Sequence, residues 1–144
     1  MEPKVREAAA QDAEGVLELL RALGPEELPP EEARGLLQRI QSSGLGRVYV
    51  LELEGRLVGT FTLWVLPNLG HGGRPFAVLE SVVVAEELRG QGLGRFLTAW
   101  AAGEARRQGA YKLALSSSLS REAAHRFYQA LGFEVYGISL KLEL

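Results

Sequence analysis

The stretch Arg89-Gly90-Gln91-Gly92-Leu93-Gly94 separates two periodic segments, and the fold of this chain is decided around it. Residues 77–84 before it are rich in valine and leucine, which favours a buried β-strand. The residues after it repeat apolar side chains at helical spacing. Three glycines at alternate positions leave the backbone open to close approach. Because a helix begins there with free N–H groups and a positive dipole end, the stretch predicts an anion-binding turn.

The segments on either side of this turn alternate between strand and helix periodicity. The order is β-α-α-β-β-β-α-β-α-β-β, with Asp12 expected to cap the first helix and Pro29-Pro30 expected to mark the start of the second. A glycine-rich loop is expected at residues 67–75. Strands are expected at residues 4–8, 48–53, 57–66, 77–84, 111–117, 133–136 and 138–144. This order predicts a single α/β domain, residues 1–144, in which helices flank a mixed sheet.

Two helices near the C-terminal end carry clear apolar stripes. The helix after the turn is expected to bury one face, formed by Leu93, Phe96, Leu97, Trp100, Ala101 and Ala105. The last helix is expected to start at a Ser120 cap and to end at Gly132. Its expected inner face consists of Ala124, Phe127, Tyr128 and Leu131.

Composition excludes several classes of function. The chain has 144 residues, 47% hydrophobic and 24% charged, which is enough for one domain with a core. A net charge of −2 gives no global basic field for nucleic acid. The absence of cysteine excludes disulfides and thiol nucleophiles, and two separated histidines make no metal site.

The location expected from the sequence is the cytoplasm. The first residues do not form a signal peptide. The longest uncharged run, residues 57–73, is interrupted by Pro67 and several glycines, so no membrane span is expected.

Two common phosphate-binding patterns do not fit the turn. The Walker pattern requires a lysine and a hydroxyl residue after its last glycine, whereas Arg95 and Phe96 follow Gly94. The dinucleotide pattern requires G-x-G-x-x-G and an acidic residue about 20 positions further on. The spacing here is G-x-G-x-G, and residues 109–117 contain no acidic side chain.

The remaining pattern resembles a known family. Residues 79–94, in which Arg89 is followed by Gly92 and Gly94, resemble the acetyl-CoA motif of the GCN5-related N-acetyltransferases. Residues 124–133, with Tyr128 and a Gly-Phe ending, resemble the last helix of that family. The order of elements also matches over essentially the whole chain. The resemblance implies a central mixed, mostly antiparallel sheet of about six or seven strands flanked by about four helices, with acetyl-CoA as co-substrate and no metal.

The resemblance also implies how the co-substrate is held. Its pyrophosphate would lie on backbone N–H groups of the turn, with charge-assisted contacts from arginine side chains, and its pantetheine arm would follow the preceding strand. Many members of the family have an asparagine seven residues before the tyrosine, whereas this chain has Arg121 there, with Ser118 nearby. The expected cofactor contacts are Val82, Val83, Val84, Arg89, Gly90, Gln91, Gly92, Leu93, Gly94, Arg95, Ser118 and Arg121.

Four residues are candidates for chemistry and acceptor binding. Glu80 is the one charge in an apolar strand and is expected to take a proton from the amine, although a solvent-facing or arginine-paired glutamate is the alternative. Tyr128 would protonate the departing thiolate, or else serve as an amphipathic core residue. His71 and Arg74 lie in the glycine-rich loop, where they are expected to contact the acceptor unless the loop is simply solvated.

The predicted function is transfer of an acetyl group from acetyl-CoA to a primary amine in a ternary complex, because no residue is an obvious acyl-accepting nucleophile. A small-molecule acceptor is expected. The alternatives are a protein or peptide N-acetyltransferase and a non-catalytic acyl-CoA-binding regulatory module. Neither nucleic acid nor membrane is an expected partner. A homodimer could form through the alternating apolar residues of the C-terminal strand, which are Ile138, Leu140, Leu142 and Leu144.

Overall fold

The structure is a computed structural model that describes residues 2–117 and 121–144. Its strands and α-helices follow in the order β1 (Lys4–Glu7), α1 (Ala13–Leu20), α2 (Pro30–Ser42), β2 (Gly46–Leu53), β3 (Arg56–Leu66), β4 (Phe76–Val84), α3 (Leu93–Arg107), β5 (Leu113–Ala114) and α4 (Glu122–Ala130). The chain divides into two compact units, Met1–Ala114 and Leu115–Leu144. The first unit contains all five strands with α1, α2 and α3, and the second contains α4.

The strands of the first unit form one sheet in the order β1-β2-β3-β4-β5. Neighbours from β1 to β4 are antiparallel, and β5 is parallel to β4. The predicted hairpin is confirmed, and its turn residues Glu54 and Gly55 have φ values of 53° and 79°, as a tight two-residue hairpin requires. The mixed, mostly antiparallel sheet and the four α-helices are therefore confirmed, with five strands over the residues that the structure describes instead of about six or seven.

Side chains along each strand point alternately to the two faces of the sheet, so each face has its own set of side chains for packing against helices. On one face, Val48 and Val50 of β2 belong to a buried cluster with Leu37 of α2. On the other face, the ring of Tyr49 lies 5.1 Å from that of Phe61, and both rings contact Trp100 of α3.

The buried stripe of α3 has a spacing of four residues. Its fully or nearly fully buried apolar members are Leu93, Leu97, Ala101 and Ala105. Phe96 was expected in this stripe but is 38% exposed, so that prediction is wrong. One residue turns a helix by about 100°, which carries Phe96 away from the face centred on Leu97.

Asp12 is buried before α1 but does not cap it. Its two carboxylate oxygens accept hydrogen bonds from the Arg6 guanidinium at 2.7 and 2.9 Å, and Oδ2 also accepts one from the Ala9 N–H at 2.7 Å. Asp12 therefore occupies the predicted N-cap position of α1, but the side-chain capping bond expected there is not formed. Because Asp12 already has a helical backbone conformation, its side chain makes no capping bond to the helix and instead ties β1 to the turn before α1.

The second unit consists of α4 and an extended segment. Gly132 follows the helix with φ of 98°, in agreement with its predicted role as C′ residue. Phe127 was expected on an inner face, but it is 37% exposed and no residue of α4 is buried. The predicted Ser120 cap lies outside the described residues.

The predicted C-terminal strands are not formed. Residues 133–136 and 138–144 pair with no strand of the described sheet, and a strand needs a backbone partner. The predicted strand at 111–117 is shortened to Leu113–Ala114, because only two residues pair with β4. Among the described residues, none of the helices has the length and hydropathy of a membrane span.

Candidate active site

β4 carries a β-bulge. The ladder with β3 joins Thr62 to Glu80 and then Thr60 to Val83, so one residue of β3 faces two residues of β4. The first of the two, Ser81, has φ of 52°, a left-handed conformation that is uncommon outside glycine. A bulge bends its strand and increases the local twist. Glu80 therefore lies directly before a bend in the strand, a feature that the sequence does not reveal.

Glu80 lines an open pocket of about 570 Å³ in the first unit. The pocket lies on the sheet face that α2 covers, because cross-strand partners share a face and Thr62 is the partner of both Glu80 and Val48. The lining residues are Ile40, Thr62, Trp64, Leu66, Val78, Glu80 and Ser81. Glu80 is exposed and is the one ionisable side chain in this lining. The pocket thus combines a single carboxylate with a mainly apolar wall, which suits an amine.

The second edge of β4 is open beyond the pocket. β5 pairs only with Ala77 and Val78, so within the described ladders Leu79, Glu80, Val83 and Val84 are paired on the β3 side alone, and the bulge residues Ser81 and Val82 are unpaired. Val83 is buried, whereas Val82 and Val84 are half-buried. An open strand edge presents N–H and C=O groups that can pair with an extended ligand as an added strand. A backbone N–H at such an edge can also stabilise a developing oxyanion.

The glycine turn lies between this edge and α3. Gly90 and Gly92 have φ values of 83° and 85°, and Gly92 is the N-cap residue of α3 without a side-chain capping bond. A Cβ at either position would meet no atom within 4 Å. Glycine is therefore favoured at these two positions by the left-handed backbone conformation and not by a lack of space for a side chain. Gly94 differs, because it lies in the first turn of α3. The free N–H groups at this helix start can bind an anion.

Two arginines flank the turn. The Nε of Arg89 donates a hydrogen bond to the Val84 carbonyl at 3.3 Å, and Arg95 is exposed in the first turn of α3. Neither takes part in an ion pair among the described residues. Gln91 is exposed, whereas the Leu93 side chain packs into the core. The arginine side chains can therefore contact a phosphate without first leaving a carboxylate.

Tyr128 lies on α4 in the second unit. Its ring meets the rings of Phe127 and Phe133 edge to face, with centroids at 5.2 and 5.5 Å. Partial burial of Tyr128 raises the pKa of its hydroxyl above the usual value of 10.0, and the positive charge of Arg121 opposes this shift. The phenol is then protonated at neutral pH, as a general acid must be. Arg121 is exposed directly before α4, and Ser118 lies outside the described residues.

His71 and Arg74 meet at Tyr111 in the first unit. The His71 ring stacks on that of Tyr111 with centroids 4.1 Å apart, and the Arg74 Cζ lies 5.5 Å from the Tyr111 centroid. The Nζ of Lys112 lies 5.5 Å from the same centroid and 5.9 Å from that of Phe76. Sequence reasoning missed Tyr111 and Lys112, because only the parallel pairing of β5 with β4 brings them to this loop.

No metal site accompanies these groups in the part of the chain that the structure describes. Over residues 2–117 and 121–144, no three histidine, aspartate or glutamate side chains come together in a way that could hold an ion.

Known proteins resemble this chain over nearly its full length. The profile of the acetyltransferase (GNAT) family matches residues 13–133. A glucosamine 6-phosphate N-acetyltransferase from Trypanosoma brucei brucei is 33% identical, covering 98% of this chain and 95% of that protein. An aminoalkylphosphonate N-acetyltransferase from Salmonella typhimurium is 32% identical, covering 91% and 84%. A solved structure of a Trypanosoma brucei acetyltransferase is 31% identical with a TM-score of 0.87, covering 99% and 100%.

The fold and these relatives together define an acyltransferase. The chain belongs to the acetyltransferase (GNAT) family, whose members use acetyl-CoA, and it is an N-acetyltransferase. The resemblance inferred from residues 79–94 and 124–133 is thereby confirmed. The individual roles of Glu80, Tyr128 and the turn residues stay predictions.

Proposed function

We propose that this protein moves an acetyl group from acetyl-CoA to the primary amine of a small molecule by direct attack in a ternary complex. The observation that carries the proposal is the position of Glu80, which lines the pocket beside the bulge where the edge of β4 is open. The two relatives named above act on small amines, as their names state, which supports a small acceptor over a peptide.

The residues of the first unit fit acetyl-CoA. The left-handed backbone at Gly90 and Gly92 and the uncapped start of α3 suit a pyrophosphate. The open edge at residues 79–84 suits the amide groups of the pantetheine arm, which would pair with it like a strand. In this arrangement the acetyl thioester ends near the bulge, beside the carboxylate of Glu80.

The chemistry then needs three proton transfers, because the nitrogen loses two protons and the thiolate gains one. A primary amine is protonated near neutral pH, so Glu80 takes one proton, directly or through water, before the nitrogen can attack. The nitrogen lone pair forms a bond to the thioester carbon, the carbonyl electrons move to oxygen, and a backbone N–H of β4 stabilises that oxyanion. When the carbonyl re-forms and the C–S bond breaks, the thiolate leaves and receives a proton from the Tyr128 hydroxyl. The nitrogen, which is positively charged after the attack, loses its second proton to water to give the neutral amide, and water returns a proton to the Tyr128 phenolate.

CoA release from acetyl-CoA mixed with single amines tests this function. The panel contains small primary amines and short peptides with free N-termini or lysines, and free thiol is measured over time. We expect turnover with small amines. Tight binding of acetyl-CoA without release of thiol would overturn the proposal in favour of a regulatory module, and a preference for peptides would overturn the small acceptor.

We also propose a homodimer that forms through the C-terminal segment. Its apolar side chains alternate and are exposed in this chain, between 83% and 113% for Ile138, Leu140, Leu142 and Leu144. A second copy offers the same alternating segment, and a two-fold axis can pair the two as antiparallel strands. Sedimentation equilibrium should show dimers that Leu142→Lys weakens, whereas a wild-type monomer at all concentrations would disprove this.

A further inference from the structure

A cluster of positively charged and aromatic side chains lies at one end of the sheet, where the β3–β4 loop meets β5. We call it the Tyr111 cluster, and its members are His71, Arg74, Phe76, Tyr111 and Lys112. The guanidinium of Arg74 and the ammonium of Lys112 both lie 5.5 Å from the centre of the Tyr111 ring. Two like charges are thus brought to one aromatic ring, in a cation–π arrangement that concentrates positive charge at this end of the sheet.

The Tyr111 cluster continues the face that carries the acceptor pocket. Phe76 and Glu80 lie four positions apart on β4, so their side chains leave the same face of the sheet. Val78 lies between them and Leu66 is the cross-strand partner of Phe76, and both line the pocket. The four-residue step from Phe76 to Glu80 spans about 13 Å of strand. The carboxylate of Glu80 and the cations of the Tyr111 cluster are carried on long side chains that can reach toward each other across this distance.

The two ends of this face carry opposite charges. Glu80 is the one ionisable group of the pocket lining, and it supplies a carboxylate there. Arg74 forms no ion pair among the described residues, and its Nε donates to the His71 carbonyl at 3.2 Å. That contact leaves the two terminal nitrogens of the guanidinium available for a planar, two-bond contact with an anion.

We infer that the Tyr111 cluster is an anion-binding subsite that selects an acceptor with a phosphate or phosphonate group at the end opposite its amine. Glu80 receives the ammonium group, while Arg74 and Lys112 together match the double negative charge of the anion. Val78 and Trp64 contact the carbon skeleton between the two ends. The inference rests on the proposed function at Glu80, and it adds a specificity that the carboxylate alone does not provide.

A matched series of acceptors tests this subsite. ω-Aminoalkylphosphonates of increasing chain length are compared with ω-amino alcohols and ω-amino acids of the same length, and kcat/KM is measured for each. We expect the wild type to prefer the phosphonate over the alcohol by about ten- to a hundredfold at the best length. Arg74→Gln and Lys112→Gln should each lower this phosphonate-to-alcohol ratio about tenfold. An equal preference for the amino acids would instead assign the subsite to a carboxylate and overturn the choice of a phosphorus anion.

Arg106→Gln is the matched control, because Arg106 is an exposed arginine in the last turn of α3 that belongs neither to the Tyr111 cluster nor to an ion pair among the described residues. It should leave the ratio unchanged. Turnover with an unaltered ratio in Arg74→Gln and Lys112→Gln would overturn the subsite and leave the proposed function standing.

Calorimetric titration with the phosphonates gives a second readout that needs no turnover. If the wild type acetylates no amine, the proposed function fails, and titration still decides the subsite. About tenfold weaker phosphonate binding in Arg74→Gln than in Arg106→Gln would support it, and equal binding in the two variants would overturn it.

Discussion

Glu80 lies directly opposite Thr62 in the β3–β4 ladder, and the pairing that follows it is displaced by one residue on the β4 side. The displacement bends β4 just after the carboxylate and puts Ser81 in a left-handed conformation. The strand thus positions Glu80 in the pocket, and beyond the bend the second edge of β4 has no partner strand among the described residues. This relationship makes Glu80 the first residue to test.

Glu80→Gln should lower kcat about a hundredfold near neutral pH, because an amide cannot take the proton from the amine. The deficit should shrink as pH rises toward the pKa of the amine acceptor, since more amine then arrives unprotonated. Steady-state rates over a range of pH measure both effects. Glu54→Gln, in the β2–β3 turn, is the control and should retain wild-type rates. A uniform deficit at every pH would contradict the role as general base.

Tyr128→Phe should lower kcat between ten- and a hundredfold, roughly, because the thiolate then leaves without a positioned proton donor. The raised pKa of Tyr128 keeps the phenol protonated through neutral pH, so wild-type activity that depends on it should fall only above pH 10. Acetyl thioesters of more acidic thiols should be less affected, since those thiols leave more easily as anions. Tyr136→Phe, at a position 69% exposed, is the control. Full turnover by Tyr128→Phe would remove Tyr128 from the mechanism.

Gly92→Ala should weaken acetyl-CoA binding about tenfold, because alanine disfavours the φ of 85° by about 1–2 kcal/mol. Open space around a Cβ at this position means that the loss comes from the backbone conformation. Gly103→Ala supplies the comparison within the same helix, where a Cβ also meets open space and φ is ordinary. It should stabilise the protein by about 0.5–1 kcal/mol without changing the KM for acetyl-CoA. Equal KM values in both variants would argue against cofactor binding at the turn.

The sequence predicts the elements whose periodicity and end signals agree. Glycine at residue 55 follows one turn residue and separates two apolar runs, so the hairpin of β2 and β3 was predictable. Pro30 opened α2 as expected, since proline fits the first turn of a helix. The turn at Gly90 and Gly92 was also predictable, because alternate glycines before an amphipathic run have few other uses.

Features that depend on pairing could not be predicted in the same way. The bulge at Ser81 arises from a register shift between two strands, and nothing in the β4 sequence marks it. The meeting of Lys112 with Phe76 needs the parallel ladder between β4 and β5. The predicted C-terminal strands are not formed. The alternation at Leu140 and Leu142 indicates a preference for extended backbone, but a strand also needs a partner, and the pattern does not supply one.

Asp12→Asn should lower the free energy of unfolding by about 2 kcal/mol at pH 7, because it weakens two charge-assisted hydrogen bonds from the half-buried Arg6 to the buried Asp12 carboxylate. Arg6 holds the pKa of Asp12 below its usual value of 3.8, against the opposing effect of burial. The stabilisation is therefore complete above pH 3.8 and is lost as pH falls through the lower folded-state pKa, where the unfolded chain binds the proton first.

Urea unfolding at pH 7 and near pH 3 should show the difference between variant and wild type narrowing on acidification. Glu14→Gln is the control, because the pair of Glu14 with Arg34 is exposed at 3.5 Å and should change stability by no more than about 0.5 kcal/mol. A deficit of the same size at both pH values would assign the loss to packing and not to the charge of Asp12.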